Sequence, residues 1–117
     1  MSIDDVIARQ EITDLVGRYM RGLDRLDREL LRSTFHDDAN TDYGFFTGGP
    51  DAFVDMAYGA LKDHLANHHM LGQVNIDLEG DIAFGEVYFQ AFHRIVQDGE
   101  ERDLFIAGRY VDRYEKR

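Results

Sequence analysis

The chain has 117 residues, which is enough for one domain with its own apolar core and too few for two, so we expect a single domain over residues 1–117. It contains no cysteine, so disulfides and thiolate chemistry are excluded and a cytoplasmic location is expected. Its 13 Lys and Arg face 23 Asp and Glu, and the formal charge of −10 disfavours nucleic acids and anionic membranes as partners. Neither a signal peptide nor an apolar run of membrane-spanning length is recognisable.

Three helices are predicted in the first half of the chain: Ile3–Leu23, Asp27–Phe35 and Pro50–Leu65. In the first, apolar residues recur at the three- and four-residue spacing of one helical face, and Ser2 with Asp5 forms a capping-box pattern. Asp27 is the expected N-cap of the second helix. The third begins at Pro50, because proline suits the first position of a helix.

Long antiparallel strands are predicted in the second half, because apolar and polar residues alternate from His68 onward. The strands Ile82–Val96 and Leu104–Tyr114 follow, and turn sequences at residues 79–81 and 98–99 bound them. A weaker strand is predicted at Ala39–Phe46, between the second and third helices. Helices followed by a run of antiparallel strands indicate an α+β fold.

The last two strands are apolar on both faces. Phe84 and Tyr88 lie on one face of Ile82–Val96, and Val87 and Phe89 lie on the other. A sheet with one wet face alternates more cleanly, so one face is expected to pack on the helices and the other to bind a protein. We therefore predict a homodimer formed through the outer face of the sheet.

Five short motifs, in series along most of the chain, resemble those of the SnoaL-like family within the nuclear transport factor 2-like superfamily. Arg18–Asp24 resembles the end of the family's first helix, RYxxxLD, and Thr34–Ala39 resembles the LFxxDA motif that follows. Asn67–Gln73 resembles the strand entry xHxxxN, with glutamine in place of asparagine. Gly80–Ala83 and Gly108–Glu115 resemble GDxA and GRYxDxxE. Each motif is weak alone, and their common order makes the resemblance specific.

The resemblance implies a cone-shaped, curved and mostly antiparallel sheet, with three helices on its concave face and a pocket for a small-molecule ligand. Its relatives include bile-acid dehydratases, scytalone dehydratase, hexachlorocyclohexane dehydrochlorinase and polyketide cyclases. The catalytic Asp and His of the dehydratase and dehydrochlorinase relatives fall on Asp24 and His69, and two tyrosines of the bile-acid dehydratase pattern fall on Tyr19 and Tyr43. The family usually has a further strand after GRYxDxxE, with a tryptophan near its start, so the last strand is expected to be missing from this sequence.

His69 is the candidate general base, because an imidazole with a pKa near 6.5 accepts a proton at neutral pH. A carboxylate on its far nitrogen, assigned to Asp24, would fix the tautomer and stabilise the imidazolium. Tyr19 and Tyr43 could donate hydrogen bonds to a carbonyl or leaving oxygen. The alternative is structural: a hydrogen-bonded His69, a solvated Asp24, a core Tyr19 and a Tyr43 on a strand surface.

Other polar residues are weaker candidates. His64 and His68 have an i, i+4 spacing that suits zinc, but their segment crosses from helix into strand, so we expect no metal site. His36 and His93 are interpreted as surface or packing residues. Cross-strand ion pairs are expected to account for three charged residues of the last strand: Arg109, Asp112 and Arg113.

The resulting hypothesis is a lyase or isomerase that needs no cofactor and acts on a small, largely apolar molecule such as a steroid, terpenoid or polyketide. His69 would remove a proton beside an activating group, Asp24 would orient His69, and the two tyrosines would polarise the group that leaves or enolises. A non-catalytic ligand-binding or assembly module and a subunit that supports a larger oxygenase remain as alternatives, because a fold does not fix function.

Overall fold

The computed structural model describes all 117 residues and contains three helices: α1 (Ile3–Asp24), α2 (Arg28–Ser33) and α3 (Pro50–Leu61). Five strands accompany them: β1 (Thr41–Asp42), β2 (Thr47–Gly48), β3 (Ala66–Glu79), β4 (Ile82–Gln97) and β5 (Glu100–Glu115). This order confirms the predicted α+β class. None of the helices is both long and apolar enough to cross a membrane.

Helix α1 begins with the predicted capping box. The Ser2 hydroxyl accepts the Asp5 N–H at 3.1 Å, and the Asp5 carboxylate accepts the Ser2 N–H at 3.0 Å. The apolar side of α1 packs on the sheet, where Val16 and Met20 contact the fully buried Val87 of β4. Helix α2 approaches α1 closely at Gly22. A Cβ atom at this position would lie only 2.9 Å from the backbone of Leu31.

Strands β3, β4 and β5 form one antiparallel sheet in that order, and β1 pairs with β2 in a separate small hairpin. Side chains alternate between the two faces of the long sheet. His69 of β3, Val87 of β4 and Tyr110 of β5 lie on the concave face, toward α1. The register of β3 shifts between Leu71 and Val74, which is a bulge shortly after His69.

The predicted strand Ala39–Phe46 is wrong. The chain turns back inside it, because Gly44 takes a positive φ of 80° and its N–H binds the Asp42 carboxylate at 2.9 Å. Only residues at the two ends of this turn pair, Thr41 with Gly48 and Asp42 with Thr47. The result is a short hairpin that points Tyr43 inward to the helices.

Two further boundaries differ from the prediction by four residues. Helix α3 ends at Leu61 rather than residue 65, since the chain turns there and the Leu65 N–H binds the carbonyl of Arg94 at 2.8 Å. Strand β5 begins at Glu100 rather than residue 104, despite the polar start of the segment. The tight turn at Asp98 and Gly99, with φ values of 54° and 79°, matches the strand twist and extends pairing to the hairpin tip.

The outer face of the sheet carries exposed aromatic side chains. The guanidinium of Arg109 lies 5.7 Å from the ring centre of Tyr88, and that of Arg113 lies 5.8 Å from the ring centre of Phe84. These contacts cover part of the apolar surface within one chain. A homodimer through this face stays a prediction.

Candidate active site

Asp24, the last residue of α1, meets His69 near the start of β3. The ring Nδ1–H of His69 donates to Asp24 Oδ1 at 2.7 Å, and the His69 backbone N–H donates to the same carboxylate at 2.9 and 3.1 Å. The carboxylate therefore fixes both the ring and the strand that carries it. The structure thus brings together the two residues that the sequence pairs only by resemblance.

The Asp24–His69 pair is largely shielded from water. The His69 side chain is 8% exposed and that of Asp24 is 22% exposed. An ionised carboxylate can only accept hydrogen bonds, so Nδ1 of His69 carries the proton and Nε2 has the lone pair. Nε2 has no partner within the chain and is not fully buried, so it is free to accept a proton.

Tyr19 and Tyr43 also come together. Their phenolic oxygens lie 2.5 Å apart, which joins α1 to the hairpin of β1 and β2. In such a pair one hydroxyl donates to the other, and the second hydroxyl keeps a free hydrogen that it can donate elsewhere. Both rings stack on Phe53 of α3, at centroid distances of 6.0 and 5.2 Å.

Burial keeps the tyrosines of the cone protonated. Loss of solvent raises the pKa of Tyr43 to about 12 and raises the pKa of Tyr19 well above its usual value, with the neighbouring phenols of Tyr110 and Tyr43 adding to the shift of Tyr19. Tyr110 of β5 packs edge-on against Tyr19 at 5.4 Å, and burial raises its pKa as well. All three are therefore hydrogen-bond donors at neutral pH.

Sequence reasoning missed a polar cluster beside His69. Asn67 Oδ1 accepts the Nδ1–H of His93 at 2.7 Å and that of His64 at 2.8 Å, and Asn67 Nδ2 donates to the carbonyl of Leu61 at 3.2 Å. His93 is 4% exposed, and its ring lies 5.4 Å from that of His69. The alternation of β4 predicts that His93 is buried, because His93 and the buried Val87 are both odd-numbered and therefore lie on the same face of the strand.

The ion pairs expected on β5 are only partly present. Arg109 lies 3.6 Å from Glu86 across the strands, but Arg113 pairs with Glu115 on its own strand. Asp112 forms no ion pair, so that expectation is wrong: it faces the concave side and accepts the Tyr114 hydroxyl at 2.9 Å. Burial raises the pKa of Asp112.

The two histidines considered as zinc ligands, His64 and His68, have different surroundings. His64 points to Asn67, whereas His68 is exposed on the outer face of β3. No group of three or more His, Asp or Glu side chains is arranged to hold a metal ion. His36 is an exposed residue whose Nε2–H donates to the Glu115 carbonyl at 2.8 Å.

Comparison with known protein families identifies the family of this chain. The family described as the SnoaL-like domain matches residues 4–117. The chain belongs to the SnoaL-like family. This SnoaL-like protein is also 26% identical over 120 residues to an uncharacterized protein of Mycobacterium tuberculosis, covering 96% of its own chain and 77% of the relative.

Several solved structures share this fold. The type 2 hexachlorocyclohexane dehydrochlorinase is 25% identical with a TM-score of 0.87, over 98% of this chain and 79% of that one. A scytalone dehydratase-like protein of Novosphingobium aromaticivorans is 23% identical with a TM-score of 0.86, over 99% of this chain and 78% of that one. A nuclear transport factor 2-like protein of Salmonella enterica is 19% identical with a TM-score of 0.82, over 96% of this chain and 82% of that one. These likenesses confirm the predicted fold.

The stability of the protein is expected to fall on acidification through His93. Burial lowers the pKa of His93, and neighbouring His69 and His64 lower it further, so the unfolded chain binds a proton at higher pH than the folded one. The free energy of unfolding therefore decreases as pH drops below about 6.5. His93→Gln should reduce this decrease by at most about 1.4 kcal/mol per pH unit, measured by urea unfolding at several pH values.

His68→Gln is the matched control for this prediction, since His68 is an exposed residue of the same sheet. It should leave the pH dependence as in the parent protein. Equal slopes for the parent and His93→Gln would contradict the assignment to His93.

Proposed function

We propose that this SnoaL-like protein is a lyase or isomerase that needs no cofactor, with His69 as the general base. The observation that carries the proposal is the Asp24–His69 pair: a shielded carboxylate holds Nδ1 at 2.7 Å and leaves Nε2 free. A hexachlorocyclohexane dehydrochlorinase and a scytalone dehydratase-like protein share this fold, but a fold does not fix the reaction, so the proposal depends on the Asp24–His69 pair. The expected cytoplasmic location is retained as part of the proposal.

The proposed step is removal of a proton from a carbon beside an activating group. Nε2 of His69 accepts the proton, and the electron pair of the C–H bond forms a carbon–carbon double bond. The leaving group departs with the electrons of its own bond, either as chloride, after which His69 releases its proton to solvent, or as hydroxide, which takes the proton from the imidazolium and leaves as water. In an isomerisation, the imidazolium returns the proton to a different carbon. Asp24 stabilises the imidazolium throughout, and this interaction is stronger in a shielded site than in water.

Tyr19 and Tyr43 are proposed to polarise the group that leaves or enolises. Their short contact leaves one phenolic hydrogen to donate, and both groups stay protonated at neutral pH. The surrounding rings are aromatic, including Phe53 and Tyr110, so the complementary ligand is a small and largely apolar molecule with one polar group. Steroids, terpenoids and polyketides have this chemistry.

A non-catalytic binding or assembly module is the second candidate. The observation in its favour is the dense aromatic packing between α1, α3 and the small hairpin, which fills much of this part of the cone: Tyr19, Phe35, Tyr43, Phe46 and Phe53. A ligand would have to enter beside these rings. Turnover, rather than binding, separates the two candidates.

The decisive experiment is an activity screen with a histidine control. Chloride release from hexachlorocyclohexane, dehydration of scytalone and a panel of steroid, terpenoid and polyketide alcohols and ketones are assayed with the parent protein and His69→Ala. Turnover that disappears in His69→Ala supports the proposal. Compounds that bind, by chemical-shift changes at the His69 ring, and are never turned over favour the binding module.

A further inference from the structure

Asn67 lies on the concave face of β3, two residues before His69 and on the same side of the strand. Its amide oxygen accepts the Nδ1–H groups of His93 at 2.7 Å and of His64 at 2.8 Å, and its amide nitrogen donates to the Leu61 carbonyl at 3.2 Å. Leu61 is the last residue of α3, where a carbonyl has no partner within the helix. Asn67 therefore joins α3, β3 and β4 at a point directly beside His69.

The orientation of this amide determines where the two neighbouring imidazoles carry their protons. The Leu61 carbonyl can only accept a hydrogen bond, so the amide nitrogen of Asn67 must face it and the amide oxygen must face the two rings. A carbonyl oxygen has two lone pairs and can accept from both rings. His93 and His64 therefore each carry a proton on Nδ1.

His93 and His69 are neighbouring imidazoles with different partners. Their ring centroids lie 5.4 Å apart, with an angle of 74° between the ring planes. Nδ1 of His69 donates to a carboxylate, which stabilises a positive charge on that ring, whereas Nδ1 of His93 donates to a neutral amide. Charging both rings at this distance is costly, because like charges repel. The difference in partner therefore selects His69 as the ring that becomes charged.

The other groups around His93 also favour its neutral form. His93 is 4% exposed, and burial lowers its pKa. The neighbouring His69 and His64 lower this pKa further, whereas the Asp24 carboxylate raises it. Leu104 lies opposite His93 on β5 and adds no charge. Asp24 is bonded to the ring and backbone N–H groups of His69, so the group that His93 itself bonds is the amide.

We propose that Asn67 is a positioning residue of this active site: its amide keeps His93 neutral, with the proton on Nδ1, so that the positive charge formed on proton abstraction stays on His69. This inference rests on the proposed function, and Asn67 acts through His93 rather than on the ligand. An aspartate at this position would bond the same rings and stabilise a second imidazolium beside the base. The neutral amide thus prevents His93 from competing with His69 for the proton.

Asn67→Asp tests this role, because it changes the charge of the side chain with almost no change in its size. The test is made in a His64→Gln background, so that a proton gained beside the new carboxylate is carried by His93. At neutral pH the ring nitrogen shifts of His93 should report a neutral ring protonated on Nδ1 in the parent protein and in His64→Gln, and an imidazolium in His64→Gln/Asn67→Asp. For any compound that is turned over, kcat should be at least about tenfold lower in this double variant than in His64→Gln, since a neighbouring cation disfavours the imidazolium of His69.

Removal of His93 separates this role from a purely structural one. Adding His93→Gln to the double variant should restore kcat to within about threefold of His64→Gln/His93→Gln, because no cation then lies beside His69. A residue that only supports the fold would show no such rescue.

Asn75→Asp is the matched control, because Asn75 is an exposed residue of the same strand and its side chain donates to the Glu86 carbonyl at 3.3 Å. It should change neither the nitrogen shifts of His93 nor kcat. A neutral His93 in His64→Gln/Asn67→Asp, or a loss of kcat that His93→Gln does not restore, overturns the proposal.

The nitrogen shifts need no substrate, so they separate this proposal from the proposed function. An absence of turnover for every compound contradicts the proposed function and leaves the shift measurement unaffected. In that case the charge of His93 decides: an imidazolium in His64→Gln/Asn67→Asp and a neutral ring in the parent protein support control of His93 by Asn67, and the same charge in both overturns it.

Discussion

Asp24→Asn is expected to lower kcat by about 100- to 10,000-fold while leaving KM nearly unchanged, for any compound that the protein converts. The asparagine side chain has nearly the same shape and can still accept the His69 backbone N–H. Its amide nitrogen can also donate to Nδ1 of His69, which moves the ring proton to Nε2 and removes the base. The imidazolium formed in the reaction also loses its counter-charge. His69→Ala removes the base itself and should abolish turnover.

The tautomer of His69 provides a readout that needs no substrate. Nitrogen chemical shifts of the ring should report a protonated Nδ1 in the parent protein and a protonated Nε2 in Asp24→Asn. Asp14→Asn, on the exposed side of the same helix, is the control and should change neither the tautomer nor kcat. Tyr19→Phe and Tyr43→Phe should reduce kcat less than Asp24→Asn, because each removes one donor of a pair. A parent-like kcat in Asp24→Asn would sink the proposed mechanism.

Phe53→Ala is expected to cause the largest loss of stability of any single truncation considered, about 3–5 kcal/mol. Phe53 is 2% exposed and lies between the rings of Tyr19, Tyr43 and Phe35. Its removal leaves a cavity between α1, α3 and the small hairpin, and the rings of Tyr19, Tyr43 and Phe35 lose their contacts with it. Urea unfolding monitored by tyrosine fluorescence measures the loss.

Phe45→Ala is the matched control, because Phe45 is the same residue type in the neighbouring loop and is 82% exposed. It should change the free energy of unfolding by less than about 0.5 kcal/mol. Phe53→Leu, which keeps much of the buried volume, should give an intermediate loss. Equal losses for Phe53→Ala and Phe45→Ala would contradict the role given to Phe53.

The sequence by itself determined the parts of this protein that depend on local patterns. The capping box of α1, the change of period near residue 68 and the glycine turns at residues 80 and 99 each reflect the conformational preference of a few neighbouring residues. Strand alternation also separated the two faces of β4, since it depends only on parity. Where the pattern was weak, at Ala39–Phe46, a single turn at Gly44 overrode it.

The tertiary structure decided which distant residues meet. Asp24 and His69 are 45 positions apart, and only the path of α1 across the start of β3 brings the carboxylate to the ring. The same holds for Tyr19 with Tyr43, for His93 with Asn67, and for Asp112, which the fold leaves without a cation. Contacts of this kind depend on how whole elements pack, and no periodicity within one segment encodes the position of another. The family resemblance could propose the Asp24–His69 pair, but its distance, burial and free Nε2 follow from the packing of α1 on the sheet.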